Sequence, residues 1–119
     1  MVHELVVKVS RELGYVVIEG TVAEVCAVLE KIAGELGLTD DLEDTLRILK
    51  NFDTYYNTLR KKFKDCITPH KNERDLLLGR VIVDKIKLKV ESGQKIASVI
   101  FDKRVNQDLI LGLLTSSPP

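Results

Sequence analysis

Cys66 and His70 stand four residues apart in the segment CITPH, a spacing at which a thiol nucleophile and its base could be considered. Such a pair also needs a group that orients the base and donors for an oxyanion, and the spacing of other residues indicates neither. Two potential ligands are too few for a zinc site. We therefore expect a buried thiol and a loop histidine, with no catalytic residue and no metal ligand here.

Three other patterns give still weaker evidence for a catalytic or ligand-binding site. The pair Tyr55 and Tyr56 could suggest a tyrosine nucleophile for DNA nicking, but such enzymes usually need a metal-binding histidine cluster, which His3 and His70 do not form. The acidic run 40–44 lacks the glycine and ligand alternation of a calcium loop and lies where a helix start favours acids. The glycines form no phosphate-binding motif. We predict a protein that is not an enzyme and that has no cofactor and no small-molecule ligand.

Charge is distributed unevenly along a chain whose net charge is zero. Residues 1–44 carry three lysines and arginines against ten acids, a net −7, and residues 45–119 carry fifteen against eight, a net +7. Such asymmetry indicates an anionic partner or charge-complementary association. The alternative is that the two halves interleave in the fold and their charges average out.

The basic residues are the main functional candidates. They are expected on the polar face of a long helix, in the loop after it, and at alternate positions of a strand. A loosely patterned positive surface of this kind binds backbone phosphates. The competing interpretation is a solvated face whose lysines prevent edge-to-edge aggregation. The predicted nucleic-acid-binding residues are Arg47, Lys50, Arg60, Lys61, Lys62, Lys64, Lys71, Arg74, Lys85, Lys87 and Lys89.

The last three of these lysines depend on a hairpin predicted over residues 80–103. β-branched residues flank the turn ESGQ, and apolar residues alternate with the lysines. The register that places the apolar residues on one face pairs Val90 with Lys95, Leu88 with Ala97 and Ile86 with Val99. The lysines then share the other face with Ile96, Ser98 and Ile100, and a slip of one residue would reverse the faces. The rival interpretation is a helix over 73–92, capped by Asn72 and ended by Gly93.

Two helices are predicted before this hairpin. The first follows Thr21, which with Glu24 forms a capping-box pattern, and ends at Gly37. The second is a single long helix over 39–66, whose apolar stripe comprises Leu42, Leu46, Leu49, Phe52, Tyr56, Leu59 and Phe63. The short link makes the helices an antiparallel pair, and Leu46 is expected between this pair and the sheet. Residues 67–72 are predicted to be a loop.

The two ends of the chain leave alternatives open. Residues 4–19 favour a hairpin with the four-residue turn RELG, in which Gly14 takes a positive φ; a helix over 1–13 competes. Residues 106–114 predict a short helix that is apolar on every side and therefore needs cover. We predict a homodimer with an interface formed by Leu109, Ile110, Leu111, Leu113 and Leu114. The alternative is that this segment is buried in the monomer core.

Together these patterns predict a small single-domain α+β protein, with the globular domain over 1–114 and a disordered tail over 115–119. Two β-hairpins form an antiparallel sheet packed on the helix pair, in the order ββ-α-α-ββ-α; a mostly α-helical fold is the alternative. Two unpaired cysteines and no long apolar run indicate a cytoplasmic protein away from membranes. The expected function is nucleic-acid binding, with DNA or RNA, single- or double-stranded, left open. A homo-oligomeric protein-interaction adaptor without a nucleic-acid role is the alternative.

Overall fold

The structure of the protein, a computed structural model, describes residues 7–115. Within this range the strands form one antiparallel sheet in the order β1-β2-β5-β4-β3. The strands are β1 (Lys8–Glu12), β2 (Tyr15–Thr21), β3 (Cys66–Ile67), β4 (Val83–Glu91) and β5 (Gln94–Phe101). The helices are α1 (Val22–Leu36), α2 (Asp40–Lys50), α3 (Phe52–Lys61), α4 (Glu73–Leu78) and α5 (Gln107–Thr115). The predicted α+β class is confirmed. Predicted strand residues before Val7 and tail residues 116–119 lie outside the described range.

Both hairpins close through two-residue turns in which each central residue has a positive φ, the conformation that matches the twist of the flanking strands. Leu13 and Gly14 have φ of 52° and 86°, and Ser92 and Gly93 have φ of 52° and 78°. The positive φ of Gly14 is confirmed, but the first turn is shorter than predicted because Arg11 and Glu12 belong to β1 and pair across it.

The register of the second hairpin is confirmed. Val90 pairs with Lys95, and the lysines pair with β5 residues of the opposite face. This register follows from the alternation of apolar and basic residues together with the compact turn, since a slip of one position would bury the lysines.

The helices α1, α2, α3 and α5 pack on one face of the sheet. The core between them consists of alternate strand residues such as Ile18, Ile86 and Val99 and of apolar helix residues such as Leu29 and Leu49. The capping box predicted at the start of α1 is present, with reciprocal hydrogen bonds between Thr21 and Glu24.

The single long helix predicted over 39–66 is wrong, because the chain breaks at Asn51 into α2 and α3. Asn51 has φ of −117° and ψ of 40°, and its side-chain amide donates to the carbonyl oxygen of Arg47 at 2.8 Å. An asparagine that hydrogen-bonds nearby backbone competes with helix continuation. Leu46, expected between the helices and the sheet, lies only at the edge of the core, and Leu49 is buried instead.

Two short elements occupy the segment between α3 and β4. The loop predicted over 67–72 begins with Ile67, which belongs to β3 and pairs with Ile86 of β4. Asn72 does cap a helix, as the rival interpretation proposed, but that helix is the six-residue α4, after which Gly79 turns the chain with φ of 68°. Region 73–92 therefore contains a short helix followed by a strand.

Helix α5 is packed against the sheet next to β2. Ile110 and Leu114 are buried in the core of the single chain, while Leu111 and Leu113 are partly buried and Leu109 is exposed. Gln107 fixes the start of α5 by accepting the backbone N–H of Val16 at 3.1 Å. Ile110 and Leu114 are therefore not accessible to a second chain, contrary to the predicted interface. Leu109 is accessible, and Leu111 and Leu113 are partly so. The homodimer stays a prediction.

Candidate nucleic-acid interface

The face of the sheet opposite these helices carries the predicted lysine ladder. Because side chains alternate along a strand, Lys85, Lys87 and Lys89 point away from the core side of β4, where Ile86 and Leu88 are buried. We call this surface the open face. Its side chains from four strands are Lys8, Ser10, Glu12, Tyr15, Val17, Glu19, Lys85, Lys87, Lys89, Ile96, Ser98 and Ile100.

Strand register sets these side chains in rows across the open face. One row runs from Lys8 through Glu19 and Ser98 to Lys87, so basic residues flank a polar centre. Long side chains from this row and its neighbours surround a shallow hollow of about 130 Å³. As a result Val17, at its floor, is only 6% exposed although it lies on the side of the sheet opposite the described helices.

The lysines of the ladder differ in their partners. Lys89 Nζ lies 3.4 Å from Glu19 and 3.0 Å from Glu91, and these carboxylates raise its pKa. Glu19 also accepts a hydrogen bond from the Ser98 hydroxyl at 3.0 Å, which with Lys89 lowers the pKa of that carboxyl. Among residues 7–115, by contrast, Lys85 and Lys87 form no ion pair. Two of the three ladder lysines therefore have no internal anion to neutralise them.

Two further lysines lie beside the ladder at the β3 edge of the sheet. Cys66 of β3 is the neighbour of Lys87 across the strands, and Lys62 and Lys64 border a groove together with Cys66 and Ile67. Within the part of the chain that the structure describes, Lys62 and Lys64 are exposed and make no ion pair. We call Lys62, Lys64, Lys85 and Lys87 the basic strip.

The remaining predicted residues lie elsewhere. Arg47 on α2 is held by Asp44 and by the hydroxyl of Tyr55, and it has a raised pKa because of the Asp44 carboxylate. Lys50 lies 3.7 Å from Glu30 of α1. These cations belong to the helix layer on the other side of the sheet from the ladder. Arg47 and Lys50 therefore do not share a surface with the ladder.

The other members of the predicted set are dispersed. Arg60 stands over the ring of Tyr56 at 5.8 Å, Lys61 is the last residue of α3, Lys71 is partly buried before α4, and Arg74 is exposed on α4. Tyr15 also lies on the open face, with Lys103 Nζ 4.5 Å from its ring centre. A base would have to displace that lysine to reach this face of the ring.

Phe63 is a surface residue, although the sequence pattern predicted it in the core. The helical stripe assigns it to the core, but α3 ends at Lys61 and the Phe63 side chain is 96% exposed with φ of 53°. The assignment was wrong because the stripe continues the helix past its true end. The sequence signal that could have identified it is KKFK, an aromatic residue flanked directly by lysines.

The residues whose types could support catalysis or metal binding have structural roles. Asp41 is buried and accepts the backbone N–H groups of Ile82 and Val83 at 2.6 and 2.9 Å, which ties α2 to the start of β4. Cys66 is half-buried rather than buried, and the backbone N–H of His70 donates to Asp44 at 2.7 Å. Across residues 7–115 no three His, Cys, Asp or Glu side chains are placed to share a metal ion.

The helices in this range are too short or too polar to span a membrane.

A second surface feature is a cleft of about 410 Å³ between α4, α5 and the link from α1 to α2, with both polar and apolar lining residues. Leu38 and Leu109 line it, and α4 carries Leu76, Leu77 and Leu78 between two lining residues, Asp75 and Gly79. These are five of the eight large apolar side chains that are exposed among the described residues. Exposed apolar groups concentrated in one place are typical of an interaction site.

No protein-family model matches this chain, and no curated protein and no solved structure matches it either.

Proposed function

We propose that this protein is a non-enzymatic nucleic-acid-binding protein in which the basic strip, together with Lys8, contacts backbone phosphates. The observation that carries the proposal is the pair Lys85 and Lys87, which face solvent on the open face without an ion-pair partner among residues 7–115. Cations that are neutralised by their own chain contribute little to anion binding, whereas these two remain available.

The geometry favours contacts to the backbone over contacts to base edges. Successive side chains on one face of a strand are about 7 Å apart, so the ladder presents its charges at regular intervals. Lysine is a flexible point charge that attracts phosphate without the fixed, forked geometry that reads a base. The expected binding is therefore strong at low salt and weakly dependent on nucleotide sequence.

Salt dependence tests the proposal directly. If about five phosphates are neutralised, the logarithm of the affinity should fall against the logarithm of salt concentration with a slope of about −3.5 for a single strand or about −4.5 for a duplex. The measurement is fluorescence anisotropy of labelled DNA and RNA oligonucleotides titrated with the full chain. Absence of binding to every oligonucleotide at roughly 50 mM salt would exclude the proposal.

A matched pair of charge reversals locates the interface. Lys85→Glu/Lys87→Glu should abolish binding at moderate salt for all sequences alike. Lys31→Glu/Lys50→Glu makes the same change of charge on the helix layer and should have a much smaller effect. Both variants should keep the circular dichroism of the parent, since all four residues are exposed. Equal weakening by the two variants would indicate a net-charge effect and not an interface on the open face.

The exposed leucines at and near the cleft between α4 and α5 favour a second function, self-association as a homo-oligomeric adaptor. The occupant would be a second copy of the chain, because Leu109, one of the predicted interface residues, lines the cleft. Light scattering should then show a dimer for the parent and a monomer for Leu77→Ser/Leu109→Ser, with Leu13→Ser as the control for an exposed leucine elsewhere. A parent chain that is monomeric at high concentration would remove this candidate.

A further inference from the structure

The end of α3 has a backbone conformation that normally selects glycine. The N–H of Lys64 donates to the carbonyl of Leu59 at 3.0 Å, and the N–H of Phe63 donates to that of Arg60 at 3.3 Å. This pair of bonds ends a helix through one residue in the left-handed conformation, where a Cβ atom is unfavourable and glycine is usual. Phe63 occupies that position with φ of 53°.

The same molecule contains the usual solution at the end of α4. There the N–H of Arg80 donates to the carbonyl of Asp75 at 2.8 Å, the N–H of Gly79 donates to that of Leu76 at 3.3 Å, and the left-handed residue is Gly79. The two helix ends are closed by the same bonds with different residues. Termination of α3 alone therefore does not account for a phenylalanine at its end.

The ring of Phe63 is not packed against any residue in the range 7–115 that the structure describes. It is 96% exposed, so its apolar surface stays in water, and the two residues that flank it are the exposed lysines of the basic strip. Leu13 shares this exposed, left-handed conformation, so what points to a function for Phe63 is that the exposed side chain is an aromatic ring between two lysines. An aromatic ring among cations is the combination that binds single-stranded nucleic acids, because the ring stacks on a base while the cations contact phosphates.

We propose that the nucleic acid bound by this protein is single-stranded and that Phe63 stacks on one of its bases, beside phosphates held by the basic strip. The inference rests on the proposed nucleic-acid function and adds the strand class to it. A base inside a duplex is stacked on its neighbours and does not offer its face, so an exposed ring that stacks on a base selects unpaired nucleotides. Stacking tolerates any base, which agrees with a phosphate-dominated interface.

The test uses Phe63→Gly, which removes the ring and supplies the residue that the backbone prefers. We expect its melting temperature to rise by about 2–6 °C, because the left-handed strain is relieved. Its affinity for an oligothymidylate of about 12 nucleotides should fall about 5- to 150-fold, the measured range for one stacked base. Leu13→Gly is the matched control: Leu13 is 93% exposed with φ of 52°, but it lies in the turn at the opposite edge of the sheet. It should gain stability without losing affinity.

Two further measurements separate stacking from charge. An abasic oligonucleotide of the same length keeps the phosphates, so the parent and Phe63→Gly should bind it equally. Because the chain has no tryptophan, Phe63→Trp introduces a single tryptophan, whose selectively excited fluorescence should be quenched by the oligothymidylate.

Phe63→Gly binding the oligothymidylate as the parent does, or the parent preferring a duplex of equal length, would overturn the inference. If Lys85→Glu/Lys87→Glu still abolished binding in that case, the phosphate interface would stand and only the stacking would be wrong. If the parent bound no oligonucleotide, the proposed function itself would fail.

Discussion

The two faces of the sheet are built from the same strands but differ in what their side chains contact. On the covered face, alternate residues such as Ile86 and Val99 are fully buried beneath four helices. On the open face, their strand neighbours Lys85 and Lys87 meet solvent, and Ser98 donates a hydrogen bond to Glu19. The covered face therefore provides most of the stability, while the open face can vary its charge at little cost to folding.

The basic residues on the two sides of the sheet also differ in whether they contact an acidic partner in the same chain. Arg47 on the helix layer is engaged by Asp44 and Tyr55, and Lys95 lies 3.0 Å from Asp53. Lys85 and Lys87 have no such partner among residues 7–115. A count of basic residues along the chain treats these groups as equal, but only the second has charge available for an external anion.

The largest effect on stability is expected at Asp41, on the covered side. Asp41→Ala removes the acceptor of two buried backbone N–H groups, those of Ile82 and Val83, and should cost about 2–6 kcal/mol of the free energy of unfolding. Urea denaturation monitored by circular dichroism measures it. Glu43→Ala, in the same first turn but exposed, is the control and should cost about 1 kcal/mol or less. Equal costs for the two variants would mean that the link between α2 and β4 does not stabilise the fold.

An intermediate effect distinguishes two leucines of α2. Leu49→Ala should cost about 2–5 kcal/mol because the residue is fully buried, and Leu46→Ala should cost below about 2 kcal/mol because it is only partly buried. The measurement is the same denaturation experiment. A larger cost at Leu46 would show that α2 is rotated about its axis relative to the structure.

The smallest effect belongs to Glu19 on the open face. The hydrogen bond from Ser98 and the nearby Lys89 lower the pKa of this carboxyl from its ordinary value of 4.5. Its contribution to stability is therefore present above about pH 4.5 and is lost as the pH falls through the lowered folded-state pKa. Because the pair is largely exposed, the contribution should be no more than about 1 kcal/mol.

Glu19→Gln should accordingly lose less stability than the parent between about pH 5 and pH 3 in thermal melts. Glu12→Gln is the control, since Glu12 lies on the same face and makes no ion pair or side-chain hydrogen bond within residues 7–115. An identical pH dependence of Glu19→Gln and the parent would contradict the role of this carboxylate.

The second hairpin shows what could be predicted from sequence. Its register and the common face of Lys85, Lys87 and Lys89 follow from a period of two and a compact turn, which are properties of adjacent residues. The capping box of Thr21 and Glu24 is equally local. The class of the fold followed because such local patterns alternated along the chain in a recognisable order.

The candidate site could be predicted only in part, because its composition depends on contacts between distant segments of the chain. Which helix residues share a surface with the ladder depends on the side of the sheet on which the helices pack, and this is decided by contacts between segments distant in sequence. The break at Asn51 and the end of α3 at Lys61 likewise removed Phe63 from the apolar stripe. The sequence by itself determined the four strands of the two hairpins, the register of the second hairpin and the alternation of charge with apolar residues, because these depend on near neighbours, whereas β3 was not predicted. Only the tertiary structure decided which cations find an internal partner and that Phe63 stands in solvent beside the basic strip, because burial and pairing are properties of the packed chain.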